Sequence, residues 1–138
     1  MASRDLKVLI VDDSAAARAL LAAAVETVAG QLGRTPVITA VSSGFEALRL
    51  LPANPLHLII TDINMPDVHG LELIAFARQH PLHAKTPLLV VTTLSAPRDR
   101  DKAMALGADA FCPKPVTIDE LGAKITHLLT GARGAERP

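Results

Sequence analysis

Three carboxylates, a hydroxyl and an ammonium each close an apolar run in this sequence. Asp12 and Asp13 follow LKVLIV, Asp62 follows LHLIIT, Thr92 ends PLLVVT, and Lys114 lies between Pro113 and Pro115 just beyond AFC. Three carboxylates gathered without a partner repel, and one of them takes up a proton. A divalent cation relieves that repulsion. Mg²⁺ suits such a set, because it takes oxygen ligands, keeps several waters and also accepts phosphoryl oxygens. Beside a metal, Asp62 is a carboxylate nucleophile able to form an acyl phosphate. Lys114 would offset charge on the group in transfer, and Thr92 would donate a hydrogen bond to a phosphoryl oxygen.

These groups meet only if the runs become neighbouring strands. Leu6–Val11 reads as a strand buried on both faces, of the parallel-sheet kind. An Ala-rich helix follows, with Leu20, Leu21, Val25 and Val28 at helical spacing and Gly30 as its expected stop. Gln31–Pro36 reads as a loop and Val37–Val41 as the second strand. Ser43 with Glu46 predicts a capping box on a short helix, Phe45–Leu51. The third strand is Leu56–Thr61, and the third helix runs from Gly70 to about His80 with Leu71, Ile74, Ala75 and the Arg78 stem inward. Pro87–Thr92 is the fourth strand. Pro97 opens a helix that runs to Leu106 and stops at Gly107. Ala110–Cys112 is a short fifth strand, and Thr117 with Glu120 caps a last helix whose apolar stripe is Leu121, Ile125, Leu128 and Leu129.

Five βα units predict an α/β fold, a parallel sheet with helices on both faces. Right-handed crossovers favour the flavodoxin-like order 2-1-3-4-5, with its crevice at the strand C-terminal ends around strands 1 and 3. Length and composition agree. The 138 residues suit one domain, with residues 1–130 as its body and 131–138, GARGAERP, as a frayed tail or linker stub. Hydrophobic content is 49% but aromatic content only 2%, so the core is aliphatic. A net charge of +0 with no basic tract predicts no nucleic-acid partner. No apolar run reaches the length of a membrane span, and a cytoplasmic location is expected. The single cysteine, Cys112, excludes an internal disulfide and reads as a buried thiol. The five histidines, His57, His69, His80, His83 and His127, show no metal spacing and are expected on the surface or in loops.

The chain resembles the receiver domains of two-component response regulators, and among them the stand-alone chemotaxis-type regulators. The resemblance covers about Leu6 to Leu129. It rests on V-D-D-S at Val11–Ser14, D-x-x-M-P at Asp62–Pro66, V-T at Val91–Thr92, G-A-D-A-F at Gly107–Phe111 and K-P at Lys114–Pro115. It implies that Asp62 is the phosphoacceptor, that Asp13 binds Mg²⁺ directly and Asp12 through water, and that Asn64 offers the metal its backbone carbonyl. Thr92 and Lys114 would sense the phosphoryl group, and Phe111 stands at the aromatic switch position. A cis Lys114–Pro115 bond is also implied. The expected partners are a histidine kinase or histidine phosphotransfer protein and a downstream protein target, docked through helix 4, strand 5 and helix 5. The chain would act as a monomer or as a phosphorylation-dependent dimer.

Plainer readings stand beside these. Asp12 and Asp13 could simply favour a helix N-terminus, Asp62 could be a turn residue, Lys114 a solvated cation, and Thr92 or Phe111 ordinary strand and core residues. Three positions depart from the family pattern. His69 stands where Asp or Asn is usual, Thr93 where Ala or Gly is usual, and Leu94 lies at a position that tunes phosphate lifetime. Thr93 would narrow access to the phosphoryl group, and Leu94 cannot orient a water, so slow turnover is expected. Two other functions remain. One is a phosphorylation-independent interaction module. The other is a dehalogenase-like phosphohydrolase, which would need an acid where Asn64 stands.

Overall fold

A computed structural model describes residues 3–131. Five parallel strands form one sheet in the order β2-β1-β3-β4-β5: β1 (Asp5–Val11), β2 (Thr35–Val41), β3 (Leu58–Thr61), β4 (Leu88–Thr92) and β5 (Ala110–Pro113). The helices are α1 (Ala15–Gln31), α2 (Gly44–Leu50), α3 (Gly70–Gln79), α4 (Pro97–Leu106) and α5 (Ile118–Leu129). The central strands β1, β3 and β4 are buried on both faces, which is why they read as continuous Val/Ile/Leu runs rather than alternating ones. On one face Leu6, Val8, Ile10, Leu58, Ile60, Leu89 and Val91 pack against α1 and α5. On the other, Leu9, Val11, Ile59, Leu88 and Val90 pack against α2, α3 and α4. This three-layer architecture is the one expected. The predicted tail lies outside the described residues beyond Gly131.

Local signals held at most helix ends. Ser14 caps α1 through a bond from the Ala17 N–H, and Thr117 with Glu120 forms a complete capping box on α5. Gly107 ends α4 with φ +118, a left-handed conformation that favours glycine. Three expectations fail. Gly30 lies inside α1, which continues to Gln31, and the positive φ falls on Gly33 instead. Ser43 does cap α2 by accepting from the Glu46 N–H, but the Glu46 carboxylate accepts from the Ser42 hydroxyl, so only half of the box forms. The second strand begins at Thr35 and includes Pro36, because β2 is an edge strand and the missing proline N–H can face outward.

His83 lies in the turn between α3 and β4, a loop position as expected, but it is not at the surface. It is fully buried rather than superficial. Its ring Nε2 lies 2.6 Å from the Leu51 carbonyl, at the 3₁₀ turn that follows α2. Burial pushes its pKa below 6.5, with the nearby His80 and Arg78 adding to the effect and the Leu51 bond opposing it. A neutral imidazole with Nε2–H donating to Leu51 fits this environment. The unfolded chain binds a proton near the ordinary value while the folded chain resists it. Stability is therefore complete above that value and declines as pH falls through it. His57, whose pKa burial also lowers, acts in the same direction. Urea unfolding should give a lower midpoint at mildly acidic than at neutral pH, and His83→Gln should reduce that difference.

Candidate functional site

The C-terminal edge of the sheet gathers the groups singled out above. β1 and β3 are paired in register, Val11 beside Thr61, so the residues that follow them emerge side by side. Asp12 is fully buried, and its backbone N–H donates to the Val41 carbonyl at 3.1 Å. Its Oδ1 accepts from the Ser14 N–H at 2.9 Å. Asp62 is nearly buried, and its own N–H donates to the Val11 carbonyl at 2.9 Å. Asp13 is exposed. Oxygens of Asp12, Asp13 and Asp62 lie within 4.8 Å of one another.

Lys114 joins two of the three acids. Its Nζ donates to Asp12 Oδ2 at 2.8 Å and to Asp62 Oδ2 at 3.1 Å. The backbone fixes this reach. The Lys114 N–H donates to the Thr92 carbonyl at 2.8 Å, and the Lys114–Pro115 bond is cis. Burial alone would push the ammonium's pKa down, but the hydrogen bonds to Asp12 and Asp62 outweigh it and raise it above the ordinary lysine value. Thr92 is fully buried at the tip of β4, and its hydroxyl oxygen accepts from the Leu94 N–H at 3.2 Å. That leaves its proton available to an acceptor.

The β3–α3 loop shapes the other side. The Asn64 N–H donates to Asp62 Oδ1 at 2.8 Å, so the two Asp62 oxygens have different partners. The Asn64 side-chain amide donates to the Thr93 hydroxyl at 3.4 Å. The two positions noted separately in the sequence are thus adjacent in space. Asp67 turns away from the three acids and accepts from the backbone N–H groups of Phe45 at 3.1 Å and Gly44 at 3.3 Å. Its pKa is lowered chiefly by the Phe45 N–H, then by that of Val68. His69 caps α3, its Nδ1 accepting from the Leu71 N–H at 3.2 Å. This is the role an Asp or Asn would take there, so the departure preserves the acceptor. A Cβ at Gly70 would fall on the Ile63 Cα and the Asp62 carbonyl. The residue is glycine because the helix start lies against the backbone that presents Asp62.

Phe111 is packed into the core beside α3 and α4. It also lines a groove of about 420 Å³ between α4 and α5, with Arg100, Met104, Ala110, Lys124 and His127. Cys112 is buried on the opposite face, and burial raises its thiol pKa. The cluster that sequence reasoning missed is Arg78–Asp109. Arg78 donates to Asp109 Oδ2 at 2.9 Å, to the Gly107 carbonyl at 2.9 Å, and to the His83 and Thr86 carbonyls at 2.8 Å each. The same Asp109 oxygen accepts from the Leu88 N–H at 2.9 Å. Asp109 lay within a quoted motif, but its partner is 31 residues away and no local pattern links them.

Comparison with known proteins gives this geometry a family. Residues 8–126 match the response regulator receiver domain model. The chain is 33% identical over 120 residues to a "Probable chemotaxis protein CheY" of Rhizobium etli, covering 87% of this chain and 89% of the relative. It is 32% identical over 130 residues to a chemotaxis protein CheY homolog of Campylobacter jejuni, covering 94% and 96%. It also matches a gliding motility regulatory protein of Myxococcus xanthus at 33% identity, where it spans only 15% of the relative against 90% of itself. The chemotaxis response regulator CheY4 of Vibrio cholerae shares the fold with a TM-score of 0.79 at 27% identity, covering 90% of this chain and 98% of that one. A receiver domain of the Pseudomonas aeruginosa sensor histidine kinase PA1611, solved with a magnesium ion in its active-site cleft, superposes with a TM-score of 0.77 at 20% identity, covering 92% and 98%. With five parallel strands in the order 2-1-3-4-5 and a family match over nearly all of them, the chain belongs to the response regulator receiver domains, the signalling modules of two-component systems.

Proposed function

We propose that this chain is a phosphorylation-controlled switch that takes its phosphoryl group on Asp62. The observation that carries the reading is the double bond from Lys114 Nζ to Asp12 and Asp62 at 2.8 and 3.1 Å. A surface lysine would not be held over two buried carboxylates. An Asp62 oxygen attacks the phosphorus of a phosphohistidine on a kinase or phosphotransfer protein. The P–N bond breaks with its electron pair going to the ring, whose other nitrogen carries a proton, so the imidazole leaves neutral and an acyl phosphate forms. Asp12, Asp13 and Asp62 form an oxygen-rich cluster that would hold Mg²⁺, with the Asn64 carbonyl as a proposed further donor. When bound, the ion supplies positive charge to the phosphoryl oxygens. Lys114 supplies a second positive charge, and the Thr92 hydroxyl donates its free proton to a phosphoryl oxygen. The same oxygen already accepts the Leu94 N–H, so Thr92 links the phosphoryl group to the β4–α4 loop.

Phosphorylation can bias two packings only by interacting differently with them. The face built from α4, β5 and α5 is the proposed output, with Phe111 at its groove and a protein target as partner. No described helix is long and apolar enough to cross a membrane, and we place the switch in the cytoplasm. Asn64 lacks the proton that a phosphohydrolase needs at that position, so turnover should be slow.

The test is acylation of purified protein by a small phosphodonor with and without Mg²⁺, read by intact mass. One phosphoryl adduct should appear only with Mg²⁺ and vanish in Asp62→Asn. An unmodified chain at millimolar Mg²⁺ would instead support the phosphorylation-independent module. Steady release of inorganic phosphate over many turnovers would support a hydrolase. Thr93→Ala should open the mouth beside Asn64 and speed both acylation and hydrolysis several-fold. Unchanged rates would remove Thr93 from the access path.

A further inference from the structure

β2 is an edge strand of the sheet, paired only with β1. Its seven residues, TPVITAV, contain no charged side chain. Exposed edge strands usually carry lysine, inward-pointing charge or a bulge that blocks pairing with another chain. Here Pro36 is the only such feature, and Val37 is 42% exposed.

The hydrogen bonds to β1 identify the groups that face outward. The Thr35 N–H donates to the Arg4 carbonyl and the Val41 carbonyl accepts from the Asp12 N–H. N–H and C=O of one strand residue point to the same side, and successive residues alternate. Thr35, Val37, Thr39 and Val41 therefore bond to β1, while Pro36, Ile38 and Ala40 present their backbone to the outside. Pro36 offers only an acceptor, whereas Ile38 and Ala40 each offer a donor and an acceptor.

We propose that this edge docks a second copy of the same chain, as an antiparallel β2–β2 pair about a two-fold axis at Ile38. In that register the two Ile38 residues exchange both backbone bonds, and each Ala40 N–H donates to Pro36 of the other copy. Pro36 stands opposite Ala40, where its missing donor costs one bond per copy rather than breaking the ladder. Val37 faces Thr39 of the second copy, burying two exposed residues on each side. The strand ends are complementary. Arg34 precedes the strand, and at its other end the Glu46 carboxylate accepts from Ser42. The two-fold sets the basic end of one copy beside the acidic end of the other. A two-fold pair closes after two copies, because both β2 edges are consumed.

The pairing uses neither Asp62 nor the face of α4, β5 and α5, so it should be independent of phosphorylation. Sedimentation of the full chain across a wide concentration range should show its mass rising from one copy towards two. Thr39→Lys, at an exposed position, should return it to one copy with unchanged thermal stability. The double variant Val37→Cys/Thr39→Cys places cysteines on facing residues, with Cα atoms about 4.5 Å apart. Mild oxidation should then yield a covalent dimer reversible by reductant. A single-copy mass at every concentration would overturn the proposal. So would growth beyond two copies, or a dimer that survives Thr39→Lys without forming the cross-link.

Discussion

Replacing Arg78 with methionine is expected to lower the unfolding free energy by about 3–5 kcal/mol, the usual cost of leaving one member of a buried ion pair alone. That is a large fraction of what a domain of this kind has, about 5–15 kcal/mol. Asp109 is fully buried at its side chain and Arg78 is 10% exposed, so solvent cannot replace the lost charge. Methionine keeps most of the arginine stem, so the loss comes from the guanidinium bonds rather than from a cavity. The carbonyls of His83, Thr86 and Gly107 lose a donor at the same time. For that reason Arg78→Met/Asp109→Leu should recover only part of the loss. Removing the charge relieves Asp109, but the three carbonyls and the Leu88 N–H remain without these partners. Urea unfolding of the two single variants and the double variant, read as a thermodynamic cycle, measures this. A double variant as stable as the parent would mean that the pair carries no share of the fold. Gly107 belongs to the same cluster. A Cβ there would lie 2.7 Å from the Arg78 Cγ, and its φ of +118 disfavours any side chain.

That cluster shows where sequence reasoning ends. Strands buried on both faces announce themselves by uninterrupted apolar runs, and their ends can be read from the first polar residue. Asp12, Asp62 and Thr92 were legible for this reason, because a parallel sheet brings all strand C-terminal ends to one edge. Lys114 was legible from its flanking prolines, although the distances that make it a bridge were not. Arg78 resembles an ordinary helix-surface cation, and only its stem was expected to face inward. The four acceptors named above come from two separate segments, the α3–β4 and α4–β5 connections, and nothing local specifies that convergence. His83 misled for the converse reason. It lies in a stretch of Pro, Lys and Ala that reads as solvated loop, yet that stretch folds against the end of α2. His69 shows a third limit. Its place in the family pattern marked it as a departure, whereas its observed role is to accept a backbone N–H at the start of α3.

Lys114→Met is expected to expose what the lysine does in the unmodified chain. Asp12 and Asp62 are both buried, and Lys114 Nζ is the cation bonded to each. Without it, two buried carboxylates face each other with no lysine bonded between them. The variant should lose about 3 kcal/mol at neutral pH, at the lower end for a broken buried pair because the lysine is 19% exposed. The sign of the pH dependence follows. In the parent, the raised lysine pKa means that its contribution is intact throughout the neutral range and is lost only as pH rises through that value. Mg²⁺ should also act differently on the two proteins. In the parent a cation already neutralises the pair, whereas in the variant an added ion meets uncompensated charge. Millimolar Mg²⁺ should therefore raise the melting temperature of Lys114→Met more than that of the parent, since a ligand stabilises in proportion to its affinity for the folded state. Equal shifts would show that Lys114 does not balance the acidic cluster, and would remove the main electrostatic support for Asp62 as the acceptor.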